Sequence, residues 1–354
     1  MADAKDRITK AVRKTALGKA DRSGSSILVH SDRRNLHLLV RADASGPDAF
    51  HIASVGKLFT TVLIGKLIDA GILDFDTPVS GLLSREILDG LFIIDGTDYQ
   101  NEVTLRMLLG HTSGAADYYG DKGKDGRTVA ELIAIEPDKA WYPEELLDFS
   151  RKNQKPAGRP GEKYHYSDSG FILLGLIIEK IHSMPLHEVL TQEILKPLEM
   201  ERTWMPFRSS PARGSAVIRP AWIRGVNVAA SPSITADWAG GGIASTEEDL
   251  LIFSKALWEG DLLANATREE MLHFDHKFHR AIYYGLGVME YRIDEISFFL
   301  RGFPDIIGHM GILGTLVFYS PDEDLHMIVT LGSDRATVKS VQLMINILGK
   351  IIKL

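Results

Sequence analysis

The chain has 354 residues, of which 45% are hydrophobic, and it carries a formal net charge of −7. A chain of this length and apolar content can bury roughly three quarters of its unfolded surface, which predicts a globular protein. The acidic balance argues against nucleic acid as an obligate partner, because a phosphate-binding face needs a concentrated basic patch. The absence of cysteine excludes disulfides and a thiol nucleophile.

Localisation is predicted from the start of the chain and from its apolar stretches. No stretch approaches the roughly 18 apolar residues of a membrane-spanning helix, so no membrane partner is expected. The charged start lacks the apolar run of a secretory signal peptide, which predicts a cytoplasmic protein, although a chain that had lost its leader would read the same. The oligomeric state is left open.

The N-terminal elements come first in chain order. The stretch Lys5–Lys19 is a candidate amphipathic helix whose charged face is expected to be solvated. The apolar segments Ile27–Val29 and Leu36–Val40 are joined by a polar turn, which predicts a β-hairpin. A buried helix over Leu58–Ala70 follows and is closed by Gly71.

Ser54 and Lys57 form the single SxxK pattern of the chain, at the start of that helix. Residues three apart share a helix face, so the lysine amine can lie beside the serine hydroxyl. A serine nucleophile needs an adjacent base, and a neutral lysine is one recognised solution. The N-terminal end of the helix also favours an oxyanion. The alternative is an N-cap serine followed by a surface lysine, and SxxK alone favours that alternative.

The remaining elements are predicted from hydrophobic periodicity. Helices dominate from 103 to about 259, with long loops at 118–127 and 206–233 that are expected to rim a cleft. Strands are predicted at four C-terminal segments: 281–291, 297–300, 314–319 and 326–331. A helix over 337 to about 352 is predicted to close the chain. The N- and C-terminal segments are expected to share one sheet.

Four further segments occur in a fixed order with SxxK. They are a Pro-Gly turn with a Tyr-x-Asp before an apolar helix (160–179), His-Met-Gly within 306–319, Leu-Leu-Gly-His-Thr-Ser-Gly (108–114) and Gly-Gly-Gly-Ile-Ala-Ser-Thr-Glu-Glu-Asp-Leu (240–250). The set resembles the serine β-lactamase and penicillin-binding-protein superfamily, especially its class C-like branch of family VIII-type esterases, D-aminopeptidases and D,D-peptidases. The resemblance runs from about residue 48 to the C-terminus.

The resemblance implies an α/β (α+β) fold in which an antiparallel sheet is flanked by helices and carries an inserted all-α lobe. We therefore expect one β-lactamase-like domain over 1–354. Its α/β lobe would comprise about 1–70 and 260–354, and its helical lobe about 71–259. The active site is expected where the lobes meet.

The resemblance also assigns a proton path. Ser54 would attack a carbonyl and become acylated, and Lys57 would take its proton. Tyr166 would share the role of base, pass the proton to the leaving group and later help to activate water. The sequence does not decide whether Lys57 or Tyr166 is the main base.

Substrate-binding residues follow from the same resemblance. The oxyanion hole would consist of the backbone N–H groups of Ser54 and Ile312, with Gly311 allowing the substrate to approach closely. His309 would line the site and help to orient Tyr166 or the substrate. No cofactor and no metal are expected.

Two residues depart from the family pattern. Asp168 stands where asparagine is usual, and a carboxylate accepts hydrogen bonds but cannot donate one. It is expected to pair with Lys57, which would oppose the role of Lys57 as base, or with a substrate ammonium. His309 stands where lysine is usual, which removes a permanent cation that could bind a penicillin carboxylate.

The predicted function is a serine hydrolase that forms an acyl-enzyme with small esters or amides. The alternatives are a D-aminopeptidase- or D,D-peptidase-like amidase, a weak β-lactamase, and a noncatalytic binding relative of the fold. The HxxHxxH pattern of His273, His276 and His279 is interpreted as a surface segment rather than a metal site. His111 is interpreted as a satisfied buried histidine that fixes its loop.

Overall fold

The protein is described here by a computed structural model that covers residues 24–43, 45–260 and 262–352, together with Asp6 and Lys10. Apart from those two positions, the candidate helix at Lys5–Lys19 lies outside the described residues. The described strands β1–β14 are Ser26–Ser31, Leu36–Arg41, Phe50–His51, Ile93–Ile94, Thr97–Asp98, Trp222–Ile223, Val226–Asn227, Ala244–Ser245, His276–His279, Ile282–Tyr284, Met289–Tyr291, Ile306–Gly311, Thr315–Ser320 and Leu325–Thr330.

The α-helices alternate with short connections through the middle of the chain. The described helices α1–α11 are Gly56–Asp69, Arg85–Leu88, Leu105–Leu109, Val129–Ile135, Pro143–Asn153, Asp168–His182, Leu186–Leu190, Trp238–Gly241, Glu247–Trp258, Asn265–Met271 and Thr337–Ile351. Short 3-10 turns lie at Ala53–Val55, Val79–Gly81, Pro232–Asp237, Ile293–Glu295, Phe298–Leu300 and Asp334–Ala336, and a π-helical turn lies at Thr191–Leu195.

One antiparallel sheet of eight strands organises the fold, in the order β2-β1-β14-β13-β12-β11-β10-β9. The N-terminal hairpin joins this sheet because β1 pairs with β14, with Ser26 opposite Thr330 and His30 opposite His326. The prediction that the two ends of the chain share a sheet is therefore confirmed.

Both faces of the sheet pack against a core cluster. Neighbouring side chains on each strand point to opposite faces, so each strand contributes to both clusters. On β1, Leu28 packs into one core cluster, whereas Ile27 and Val29 pack into the other. The first cluster includes α1 and α9, whose Phe59 and Phe253 rings stack at 3.8 Å. The second cluster is closed by the apolar face of α11.

The predicted strand at 297–300 is wrong. Phe298–Leu300 form a 3-10 turn in which the Ser297 hydroxyl accepts a hydrogen bond from the Phe299 N–H. Phe298 and Phe299 are both exposed, so the apolar run does not reflect strand burial. A serine that bonds to its own backbone two residues on favours a turn over a strand.

The predicted strand at 281–291 is two strands, β10 and β11, joined by a tight turn. Gly287 in that turn has a φ of 70°, and the Gly285 N–H donates to the carbonyl of Val288. A positive φ suits glycine and ends the strand. The segment that holds His276 and His279 is also a strand, β9, at the edge of the sheet, and it is mostly exposed, in agreement with the predicted surface segment.

Most of the described helices lie between residues 71 and 259, as the lobe boundaries predict, but α9 packs on β1, β13 and β14 of the sheet. The lobe boundaries themselves stay a prediction. Among the described residues, no single helix is long and apolar enough to cross a membrane. One bent pair, Asp168–His182 with Leu186–Leu195, meets that criterion by length and composition at an angle of 77°.

Candidate active site

Ser54 lies in a 3-10 turn, Ala53–Val55, between the short strand β3 and helix α1. The prediction placed Ser54 in the first turn of the helix, and the structure places it in the turn that immediately precedes α1. Ala53 has a φ of 48°, a strained value for a residue with a side chain. The serine is thus presented on a tight strand-to-helix turn.

Lys57 is buried and its ammonium nitrogen has three hydrogen-bond acceptors. The distances from Lys57 Nζ are 3.2 Å to Ser54 Oγ and 3.1 Å to the carbonyl oxygen of Gly240. The third acceptor is Oδ1 of Asp168, with which Lys57 forms an ion pair. The pairing of Asp168 with Lys57, one of two alternatives left open by the sequence, is the one that the structure shows.

Tyr166 lies beside this pair, at the entry to helix α6. Lys57 Nζ is 5.0 Å from the centroid of the Tyr166 ring. Burial and the negative charge of Asp168 raise the pKa of the Tyr166 phenol well above its ordinary value, and a hydrogen bond with Ser54 opposes that shift. The predicted Ser54, Lys57, Tyr166 and Asp168 are therefore brought together in one place.

Two glycines press against the backbone of the nucleophile. A Cβ atom on Gly311 would lie 2.7 Å from the carbonyl oxygen of Ile52 and 3.2 Å from the Ser54 nitrogen. A Cβ atom on Gly241 would lie 2.6 Å from the Ala53 carbonyl. Contacts this short exclude a side chain, so strand β12 and helix α8 can flank the turn only through glycine.

The end of β12 supplies the second predicted backbone donor. Among the hydrogen bonds of the described residues, the N–H groups of Ser54 and Ile312 have no acceptor. Unpaired backbone N–H groups of this kind are the usual donors to an oxyanion. Ile312 also borders a cavity of about 460 Å³, whose other lining residues include Arg224, Asp334 and Arg335.

His309 is fully buried rather than exposed to the site. Its Nε2 atom accepts a hydrogen bond from the Tyr284 hydroxyl at 2.9 Å, and Nδ1 lies 2.8 Å from the carbonyl oxygen of Met310. Burial and the charge of Lys57 lower the pKa of His309 to about 3, so the ring is neutral near pH 7. Its contact with Tyr166 is indirect, through Tyr284, whose ring centroid is 6.0 Å from that of Tyr166.

His111 packs on the opposite side of Tyr166, with ring centroids 4.2 Å apart. Its Nδ1 atom accepts a hydrogen bond from the Ser167 N–H at 3.1 Å, which ties its loop to the start of α6. Its buried Nε2 atom has no partner among the described residues. The hydrogen bond from Ser167 agrees with the predicted role of His111 in fixing its loop. Only one of the two ring nitrogens, Nδ1, has a hydrogen-bond partner among the described residues.

Two buried carboxyl groups near Asp168, those of Asp117 and Asp237, were not predicted from the sequence. Asp117 accepts hydrogen bonds from the N–H groups of Asp168, Tyr119 and Gly120 and so caps the start of α6. Burial and the charge of Asp168 raise the pKa of both Asp117 and Asp237, that of Asp237 to about 7. No sequence motif marks these residues, because only the fold brings residues 117, 168 and 237 together.

Replacing Asp237 by asparagine is expected to stabilise the protein more at pH 8 than at pH 5. A carboxyl whose pKa rises from 3.8 to about 7 on folding contributes most below pH 4, and that contribution is lost as the pH rises through 7. Asparagine cannot ionise, so the melting temperature of Asp237→Asn should exceed that of the wild type by roughly 2–4 °C at pH 8. The exposed Asp138→Asn is the matched control. An equal difference at both pH values would contradict this interpretation.

The histidines of the HxxHxxH pattern do not converge. Within the described residues, no group of three histidine, aspartate or glutamate side chains is placed to hold a metal ion. His276 and His279 belong to β9, whereas His273 follows helix α10.

The Beta-lactamase family model matches residues 13–340 of the chain. The chain belongs to the Beta-lactamase family. The family predicted from the five motifs is therefore confirmed, and the chain is a member of a family of serine hydrolases.

Relatives of this Beta-lactamase family member include the curated "Penicillin-binding protein 4*" of Bacillus subtilis (strain 168). The two are 28% identical over 263 residues, which are 70% of this chain and 53% of that protein. The chain thus spans about half the length of this relative.

Solved structures confirm the predicted fold class. A D-stereospecific amidohydrolase from Streptomyces sp. superposes with a TM-score of 0.77 at 23% identity, covering 96% of this chain and 97% of that one. EstCE1, described as a hydrolase with promiscuous acyltransferase activity, gives 0.73 at 19% identity, covering 99% and 98%. At these identities the likeness concerns the fold.

Proposed function

We propose that this Beta-lactamase family member hydrolyses small esters or amides through an acyl-enzyme on Ser54, in the manner of an esterase. The observation that carries the proposal is the buried Lys57 amine, 3.2 Å from Ser54 Oγ and paired with Asp168. A surface lysine after an N-cap serine would be exposed and unpaired, and Lys57 is neither.

The base is Lys57, with Asp168 as the partner that holds its proton. An ammonium with three acceptors cannot receive the Ser54 proton, so Lys57 must first become an amine. In a buried ion pair, the neutral amine and acid forms lie closer in energy than they do in water. A proton moved from Nζ to Asp168 leaves an amine beside Ser54 Oγ.

Tyr166 acts as a proton relay to the leaving group. Because burial and Asp168 raise the pKa of its phenol, the phenolate is disfavoured and the hydroxyl stays protonated. A protonated hydroxyl beside Ser54 can donate to the departing oxygen or nitrogen while it accepts a proton from the Lys57 side. The unpaired N–H groups of Ser54 and Ile312 would stabilise the oxyanion.

The lack of a positive charge on His309 favours esters and simple amides over penicillins as substrates. A neutral buried imidazole supplies no cation at the position where lysine stands in related sequences. A β-lactam carboxylate would therefore lack that partner.

A second candidate is an amidase for amine-bearing substrates. Asp168 pairs with Lys57, and two further buried carboxyl groups, those of Asp117 and Asp237, lie close enough to Asp168 to feel its charge. Above pH 7, where Asp117 and Asp237 lose their protons, this excess of carboxylates favours a cationic substrate. Because one oxygen of Asp168 is committed to Lys57, the ammonium would have to meet another acid.

The proposed function is tested by comparing kcat/KM of the wild type for p-nitrophenyl acetate, D- and L-phenylalanine amide, and benzylpenicillin. If the protein is an esterase, kcat/KM for p-nitrophenyl acetate should exceed kcat/KM for benzylpenicillin. A preference for either amide would support the second candidate, and turnover of penicillin alone would contradict both.

Replacing Asp168 by asparagine is expected to lower kcat/KM for p-nitrophenyl acetate by about 10²-fold or more across the pH profile, because a neutral amide cannot take the proton of Lys57. The profile is measured with p-nitrophenyl acetate between pH 5 and 9, with Asp138→Asn as the exposed control. An unchanged profile would show that Asp168 does not govern the base.

A further inference from the structure

The edge strand β9 presents two different faces. Because alternate residues of a strand share a face, His276 and Phe278 lie on one side and Lys277 and His279 on the other. The Phe278 ring centroid is 5.6 Å from that of Tyr166, and the His276 ring stacks on Tyr164 at 6.0 Å. The first face of β9 therefore forms an aromatic wall beside Tyr166.

Phe278 is the exposed member of this wall. It is 37% exposed, and β9 is the last strand of the sheet, with no strand beyond it among the described residues. Tyr166 itself is held from behind by the buried His111, at 4.2 Å between centroids, and by Lys57 Nζ at 5.0 Å. The phenyl ring of Phe278 therefore borders the solvent-accessible part of Tyr166.

The proposed role of Tyr166 as proton donor indicates which part of a substrate would contact the Phe278 ring. Tyr166 delivers the proton to the leaving group, so the leaving group must lie next to it. The cavity beside Ile312 has charged walls, including Arg224 and Asp334, and no aromatic residue among those described lines it. An apolar leaving group has Phe278 as its exposed apolar neighbour.

We propose that Phe278 is a specificity-determining residue that binds an aromatic leaving group, such as the benzyl group of a benzyl ester. The inference rests on the proposed function. Aromatic pairs contribute about 0.5–1.5 kcal/mol beyond their buried area, which corresponds to a preference of roughly two- to tenfold.

The test compares benzyl acetate with ethyl acetate, because both release an alkoxide of similar basicity and differ mainly in the aromatic ring. Phe278→Ala should lower kcat/KM for benzyl acetate by about three- to tenfold and leave ethyl acetate within about twofold. Phe278→Leu, which keeps an apolar side chain on the strand, guards against a folding defect and should give an intermediate loss. Phe299→Ala is the matched control, since Phe299 is 90% exposed elsewhere.

Ethyl phenylacetate places the ring on the acyl side instead. The inference would be overturned if Phe278→Ala lowered kcat/KM for ethyl phenylacetate but not for benzyl acetate. Equal losses of kcat/KM for all three esters would also overturn it. The wild-type rate on ethyl acetate reports the proposed function by itself. If the wild type hydrolysed no ester, the proposed function would fail and the inference would fall with it.

Discussion

Ser54→Ala is expected to lower kcat/KM for p-nitrophenyl acetate by about 10³-fold or more, because it removes the atom that becomes acylated. The turn that holds Ser54 is fixed by its neighbours, Ala53 and two flanking glycines, rather than by the hydroxyl. The melting temperature should therefore stay close to that of the wild type.

The matched control for this substitution is Ser210→Ala, since Ser210 is exposed and lies outside the proposed site. It should retain wild-type activity. Hydrolysis by a folded Ser54→Ala variant at the wild-type rate would assign the activity to another residue and would favour the noncatalytic reading of Ser54.

Gly311→Ala is expected to lower kcat/KM by about 10²- to 10³-fold, the usual loss when an oxyanion donor is displaced. The new Cβ would lie 2.7 Å from the Ile52 carbonyl oxygen and 2.9 Å from Ala53 Cβ, so the end of β12 must move away from the nucleophile. That movement separates the Ile312 N–H from the Ser54 N–H. The loss is measured as kcat/KM below the melting temperature of the variant.

Gly81→Ala provides the glycine control, because a Cβ atom at Gly81 meets nothing within 4 Å. It should leave kcat/KM unchanged. A Gly311→Ala variant with wild-type kcat/KM would contradict the proposed oxyanion hole, even if its stability were reduced.

The order of motifs in the sequence predicted the family and the fold, because each motif marks a place where the chain must meet the nucleophile. Gly311 and Gly241 are examples, since both abut the Ser54 turn in the structure. The spacing of Ser54 and Lys57 predicted adjacent side chains, and the Lys57 amine lies 3.2 Å from Ser54 Oγ.

Other features depend on contacts that one sequence does not encode locally. Asp117 and Asp237 come near Asp168 only through packing, and Tyr284 reaches His309 only because β10 and β12 lie in one sheet. A short apolar run such as 297–300 fits a strand and a turn equally well until its burial is known. The sequence predicted a surface segment at β9, but it did not show that Phe278 lies beside Tyr166, because these residues are distant in the chain.

Intact-protein mass spectrometry after reaction with a fluorophosphonate, followed by peptide mapping, tests directly whether Ser54 is the nucleophile. We expect one adduct per chain, located on Ser54 and absent from Ser54→Ala, and no stable adduct after a separate incubation with benzylpenicillin. An unmodified wild-type chain, or an adduct on a different serine, would contradict the assignment of Ser54 as the nucleophile.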